Sequence, residues 1–178
     1  MDKHPYLSSC ITEAMRYKKL GDAVLERLSD EQLHFQPHAD GNSIAMLVHH
    51  LSGNMRSRFT DFLSSDGEKS FRQRDAEFEP VHWPKATVLA AWQAGWEIYL
   101  EVLHALTEAD LSKTVYIRSE PHSVYDALQR QQAHYPYHIG QMTLLGKWLL
   151  GEKWQSLSIP KNQSAAYLQQ MEEKYKKP

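Results

Sequence analysis

The sequence predicts an all-α fold: a four-helix bundle with a short extra helix at its C-terminal end. Four long segments repeat apolar residues three and four positions apart, which places those residues on one face of a helix. Residues that favour helix ends stand at the boundaries of these segments. Because each segment carries one apolar stripe, the four stripes are best buried against one another in a bundle.

The first two helices are predicted from their apolar spacing and their caps. The first covers roughly residues 6–28, and a turn and a loop follow it. The second begins after Asn42 or Ser43, because either side chain can accept a hydrogen bond from a free backbone N–H of the first turn. Its apolar stripe continues to about Leu63, and the Ser-Ser-Asp-Gly run at 64–67 ends it.

A long loop separates the second helix from the third. Residues 68–84 are rich in charged and aromatic side chains but have no clean period, so we expect an ordered loop there. The third helix begins near Pro84, a residue favoured in a first helical turn. Its apolar residues include Trp92, Trp96 and Tyr99.

The fourth helix is predicted from Ser123 to about Leu150, where Gly151 is placed to stop it. Just before this helix, residues 114–117 could form a short extended piece. A last amphipathic segment, about residues 164–175, could pack as a fifth helix.

The composition is that of a globular protein, and we expect one domain over residues 1–178. The chain has 42% apolar and 24% charged residues, and it shows no repeat or linker that would divide it. Its formal net charge is −2, from 20 basic and 22 acidic residues. That balance argues against a nucleic-acid partner, which calls for a concentrated basic face.

The sequence favours a cytoplasmic location. The one cysteine, Cys10, excludes an intramolecular disulfide and fits a reducing compartment, and we interpret it as a small buried residue. The first residues contain no apolar stretch typical of a signal peptide, and no apolar run approaches the length of a membrane span. We therefore expect no membrane partner.

Two histidines of the fourth helix face the predicted interior. At about 100° per residue, the apolar residues of this helix lie within about 40° of His138, and His134 lies about 40° away from it. Side chains four residues apart are neighbours on one face, so two imidazoles can converge on one metal ion. The spacing alone is weak evidence, because 10 histidines in 178 residues produce about half such a pair by chance.

The alternative is that these two rings satisfy hydrogen bonds in the core. Buried imidazoles need partners, and Gln131, Gln141 or a buried tyrosine could supply them. A third metal ligand would come from the second helix, which offers His49 and His50. Each of these lies about 130° from the centre of that helix's apolar stripe, so helical phase cannot choose between them.

A ligand on the His50 side of the second helix could have a nearby hydrogen-bond partner. Asn54 and Asp61 share that side of the helix and could orient the imidazole.

Three stretches of the sequence resemble the DinB-like superfamily, which includes YfiT-like metal hydrolases and bacterial thiol-dependent transferases. They are LSDEQLHFQP at the end of the first helix, GNSIAMLVHHLSGNM after a short loop, and AHYPYHIGQM late in the chain. The segments SRFTDFLSSDGEK and FRQRDAEFE are similar to an uncharacterised bacterial branch of that superfamily. The resemblance covers nearly the whole chain and implies a four-helix bundle.

The resemblance also implies a metal site. The superfamily's usual site has one histidine directly before a leucine on the second helix, and two ligands four residues apart on a later helix. Carried over, these are His50, which precedes Leu51, and then His134 and His138. Three imidazoles leave a position for water or substrate, as in catalytic sites, and they suit zinc or nickel.

Three functions follow as expectations. The first is a metal-dependent enzyme that acts on a small molecule with a low-molecular-weight thiol as cosubstrate. The second is a metal-dependent hydrolase that uses an activated water, with Asp61 or Glu68 as a candidate general base. The third is a non-catalytic, metal-binding stress protein. No helical H-E-x-x-H motif is present, so the general base of a metalloprotease is missing.

Two further expectations concern the surface. Arg72, Arg74, Asp75 and Glu77 could line the entrance to the site and hold an acidic cosubstrate, although a solvated run of charges is the commoner outcome. A homodimer is also expected. The aromatic residues of the third helix are candidate contacts, although such residues more often pack in a core.

Overall fold

The structure, a computed structural model, describes residues 3–176 and confirms the all-α prediction. Four long α-helices, two short α-helices, one small hairpin and three 3-10 helices (Asp75–Phe78, Glu108–Asp110 and Gly151–Lys153) occur in this part of the chain. The helices are α1 (Pro5–Arg27), α2 (Asp30–Leu33), α3 (Ile44–Phe59), α4 (Lys85–Ala105), α5 (Val124–Leu150) and α6 (Ser164–Lys174). The strands are β1 (Thr114–Ile117) and β2 (Glu120–Ser123).

The predicted cap of α3 is present, since the Ser43 hydroxyl accepts a hydrogen bond from the Met46 N–H at 3.2 Å. Ser123, predicted as the first residue of α5, is its N-cap, and its hydroxyl accepts a hydrogen bond from the Asp126 N–H at 3.0 Å. Gly151 ends α5 with a φ of +53°, a backbone conformation that glycine adopts without a steric cost.

The predicted end of α3 was wrong. The helix stops at Phe59, because Thr60 is extended and Asp61 adopts a positive φ of 50°. The Asp61 carbonyl then accepts hydrogen bonds from the N–H groups of Ser64 and Ser65. Phe62 is still buried against Phe59 in this turn. The apolar period that predicted a helix to Leu63 therefore continues after the helix itself has ended.

The four long helices enclose one hydrophobic core. α3 packs against α4 and α5, and α1 packs against the same two helices. Gly21 of α1 permits a close approach to α4, since a Cβ atom there would lie 2.3 Å from the Trp92 ring. Trp92, Trp96 and Tyr99 are each at most 1% exposed. They are therefore core residues, and the suggestion that they form dimer contacts was wrong.

The hairpin is tied to the loop after α3. β1 and β2 pair antiparallel through a two-residue turn in which Arg118 and Ser119 both have positive φ. The Asp66 carboxylate accepts hydrogen bonds from both of their N–H groups, at 2.9 and 2.7 Å. These contacts hold Arg118 in place beside the bundle.

The C-terminal segment forms the predicted helix α6, but it does not pack as a fifth helix of the bundle. No residue of α6 is buried, and Leu168 is 59% exposed. Among the described residues, no helix is both long and apolar enough to cross a membrane.

Candidate metal centre

Three histidine side chains from two helices meet inside the bundle. His50 comes from α3, and His134 and His138 come from α5. The Nε2 atom of His134 lies 3.2 Å from Nε2 of His50 and 3.1 Å from Nε2 of His138. Ligands bound tetrahedrally at 2.0–2.1 Å from a zinc ion lie about 3.3 Å apart. The spacing of the three nitrogens therefore suits one metal ion, and the three histidines could hold it.

The other ring nitrogens have hydrogen-bond acceptors as partners. Nδ1 of His50 lies 2.9 Å from Oε2 of Glu77. Nδ1 of His134 lies 3.4 Å from the Gln131 amide oxygen, and Nδ1 of His138 lies 3.3 Å from the Gln141 amide oxygen. The two glutamines that could have satisfied these histidines in a core do bond them, but only at Nδ1.

These partners place a proton on each Nδ1 and a lone pair on each Nε2. A carboxylate or an amide oxygen can only accept, so each Nδ1 must donate. The lone-pair nitrogen of His134 lies 3.2 Å from that of His50 and 3.1 Å from that of His138, and lone pairs cannot satisfy each other by hydrogen bonding. A cation bound between them would satisfy all three. The donor set therefore fits a metal ion.

The protonation of the two α5 histidines agrees with this arrangement. Burial lowers the pKa of His134 to about 3, and the charges of His138, His50, Arg72 and Arg130 contribute to the shift. Burial and the charge of His50 lower the pKa of His138 to about 4. Both imidazoles are therefore neutral at pH 7, and the neutral form is the one that binds metals.

A buried ion pair supports His50 from outside the four long helices. The Glu77 carboxylate accepts two hydrogen bonds from Arg72, both at 2.8 Å, in addition to the bond from His50. Burial alone would raise the pKa of Glu77, but the hydrogen bonds and charges of Arg72 and His50 outweigh burial and lower the pKa. Glu77 therefore stays ionised and fixes the orientation of the His50 ring.

Gly53 makes room for this carboxylate on the surface of α3. A Cβ atom at Gly53 would lie 2.4 Å from Oε1 of Glu77. The missing side chain lets the loop that carries Glu77 approach the helix one turn after His49 and His50.

Glu77 was not predicted from the sequence as the partner of His50. Asn54 and Asp61 were the predicted partners, but Asn54 accepts a hydrogen bond from the Tyr135 hydroxyl at 3.1 Å, and Asp61 is exposed in the turn after α3. A solvated charge run was also favoured for the loop. That holds for Arg74 and Asp75, which are exposed, but not for the buried pair of Arg72 and Glu77. No periodic signal in the loop marks these two residues.

The neighbouring histidine of α3 lies elsewhere. The ring of His49 packs against Trp83 at a centroid distance of 4.5 Å and is only partly buried. Cys10 is buried in α1, as predicted, and burial raises the pKa of its thiol. It belongs to a different cavity, with Tyr6 and Glu13.

A cavity of about 310 Å³ lies in front of the three histidines. The ring of Phe78 packs against the ring of His50, with 4.6 Å between the two centroids, and forms part of the cavity wall. The other lining residues, besides the three histidines, are Asn54, Arg58, Arg72, Arg74, Arg118, Arg130 and Gln131. Five of these side chains are arginines, and none of the described lining residues is a carboxylate.

Glu68 was proposed from the sequence as a general base, but in the structure it binds arginines. Its Oε2 atom accepts hydrogen bonds from Arg58 at 3.1 Å and from Arg118 at 2.9 Å. Burial raises the pKa of Glu68, but these partners and the charge of Arg72 outweigh burial and lower it. A carboxylate held ionised in this way is a poor proton acceptor.

Fold and site together define a helical-bundle protein with a three-histidine centre that could hold a metal ion. The chain belongs to the family described as "Protein of unknown function (DUF1572)", whose model matches residues 2–163. The match includes the four long helices and all three histidines, whereas α6 lies beyond it. A comparison with curated proteins finds no match.

Proposed function

We propose that this protein is a divalent-metal-dependent enzyme of the DinB-like superfamily that transfers groups to or from a low-molecular-weight thiol. His50, His134 and His138 would hold the ion. The convergence of their three Nε2 atoms, each carrying a lone pair, is the observation that supports this most directly. Imidazole ligands favour zinc or nickel.

A bound ion would supply Lewis acidity, which lowers the pKa of a thiol or water molecule that shares it. In the proposed transfer, the thiol sulfur forms a bond to an electrophilic carbon. The thiol proton passes to solvent before this step. The electron pair of the broken bond stays with the leaving group, which takes up a proton from solvent. Glu77 holds the His50 ring in place, and Phe78 shields one face of that ring from solvent.

The cavity favours a thiol over water as the nucleophile. A hydrolase that activates water gains from a general base within hydrogen-bond reach. No carboxylate is among the described residues that line the cavity, and Glu68 and Glu77 are both bound to arginines. A thiol already deprotonated at neutral pH needs no such base. The resemblance to thiol-dependent transferases supports the same choice.

The test combines metal content with turnover in three proteins: the wild type, His138→Ala and His49→Ala. The two variants lose the same ring, but His49 packs on Trp83 outside the centre. We expect about one ion per chain by elemental analysis in the wild type and in His49→Ala, and a loss of most of it in His138→Ala. Circular dichroism checks that each variant is folded.

The same three metal-loaded proteins are then assayed with a panel of cellular thiols and electrophiles. We expect turnover that requires a thiol in the wild type and in His49→Ala, and a large loss in His138→Ala. Turnover without any thiol would favour the hydrolase. Metal binding without turnover or thiol binding would favour a non-catalytic protein. A folded His138→Ala protein with full metal content would refute the ligand assignment.

A further inference from the structure

Positive charge is concentrated at the cavity in front of the histidine centre. Five arginines line it, and three carboxylates pair with them. The formal charge of these eight side chains is five minus three, or +2. The whole chain has a net charge of −2. The carboxylates are Glu68, Asp75 and Glu77. The cavity therefore has a charge opposite to that of the chain as a whole.

Part of this charge holds the wall of the cavity together. Arg58 and Arg118 bind Glu68, and Arg72 binds Glu77 through two of its nitrogens. The third nitrogen, Nη1 of Arg72, is buried without a hydrogen-bond partner among the described residues, and it lies 3.7 Å from Oε2 of Glu68. The Arg72 side chain is only 2% exposed. A buried donor in a cavity wall thus remains available to a ligand.

Two other arginines flank the centre without a buried counter-ion in the described part of the chain. Arg130 lies one helical turn before His134 on α5, so the two side chains share a face. It forms no ion pair with any residue from 3 to 176. The guanidinium carbon of Arg74 lies 5.1 Å from the centroid of the Phe78 ring, and this ring packs on His50. The only ion pair of Arg74 in that part of the chain is with exposed Asp75, at 3.6 Å.

We propose that this cavity binds a small ligand through a carboxylate or phosphate group, and that Arg74, Arg130 and Nη1 of Arg72 contact the anion beside the histidine centre. Guanidinium groups match the geometry of both anions and can bind them with two parallel hydrogen bonds. A volume of about 310 Å³ suits a small molecule. The role of this ligand as a substrate rests on the proposed function, but its binding does not.

The experiment is calorimetric titration of the metal-free protein at low ionic strength. The probes are inorganic phosphate, malonate and the neutral malonamide. We expect malonate or phosphate to bind and malonamide not to bind, and the stronger of the two anions identifies the preferred group. Arg130→Gln and Arg74→Gln should each weaken binding about tenfold, because each removes a charged donor. Arg130→Lys should recover only part of the affinity.

Arg16→Gln is the matched control. It removes the same charge from α1, where the Arg16 side chain is 72% exposed and does not line the cavity. We expect it to bind the anions as the wild type does. Equal affinities for Arg16→Gln and Arg130→Gln would overturn the proposal, and so would the absence of anion binding in the wild type.

A second set of titrations separates this proposal from the metal proposal. His138→Ala should lose the metal but keep anion binding, so failure of the metal site leaves the arginine site intact. Binding of malonate that requires added zinc and does not depend on Arg74 or Arg130 would mean that the ion alone holds the anion. That result would also overturn the arginine site.

Discussion

At the scale of single residues, each histidine of the site is held in place through one ring nitrogen, and its other ring nitrogen has no acceptor or donor outside the centre among residues 3–176. Each of the three histidines has an acceptor at Nδ1, so the three Nε2 lone pairs all face one point. His50 has the strongest of these partners, because Glu77 is ionised and is itself bound by Arg72. Partners of this kind raise the basicity of a ligand as well as orienting it.

Glu77→Gln tests that role. The amide keeps the shape of the side chain but loses its charge, so His50 becomes a weaker ligand and Arg72 loses its main counter-ion. We expect the metal Kd to rise about 10- to 100-fold, measured by competition with a chelator. Glu79→Gln, which changes an exposed carboxylate two residues further on, should bind metal like the wild type. Similar Kd values for both variants would show that Glu77 has no part in metal binding.

Among the elements, α3 and α5 carry the site and α6 does not contribute to it. His50 and Arg58 lie two turns apart on α3, and His138 and Arg130 lie about two turns apart on α5, so each helix brings both a histidine and an arginine to the cavity. α6 has no buried residue and follows the last residue of the family match.

Removal of α6 should therefore cost little stability. For a chain that ends at Gln163, we expect a change in Tm of less than about 2 °C, as for changes at exposed positions, and unchanged metal content. Thermal unfolding followed by circular dichroism measures the change in Tm. A decrease well beyond this value would mean that α6 packs on the bundle in solution.

At the scale of the whole molecule, a metal ion would join helices that are far apart in the sequence. His50 and His134 are separated by 84 positions, and only the packed bundle brings their rings together. The unfolded chain has no such site, so binding free energy adds to the free energy of unfolding.

Zinc or nickel should therefore raise the Tm of the metal-free protein. At a free metal concentration of 100 times Kd, the added stability is about 2.7 kcal/mol. For a chain of this length we expect a rise of roughly 5 to 10 °C, measured by scanning calorimetry before and after chelation. His49→Ala should show the same rise, and His138→Ala should show little. Equal rises in both variants would place the metal elsewhere on the protein.

Apolar spacing and end residues were enough to predict the four long helices, the cap of α3, the end of α5 and the inward phase of His134 and His138. These features depend on local spacing, because the number of residues between two positions of an α-helix sets the angle between their side chains. Helical phase left His49 and His50 equivalent, and only the resemblance selected His50. The apolar period also carried α3 past its true end, because Phe62 is buried in a turn.

The surroundings of the three rings depend on packing between segments that are distant in the sequence. Glu77 and Arg72 reach His50 from a loop without a period, over a helix surface opened by Gly53. The cavity arginines come from α3, the loop, the hairpin turn and α5, and no spacing along the chain relates these four places. Packing brings such groups together, and the local pattern of a sequence does not show how far apart the side chains of distant segments lie.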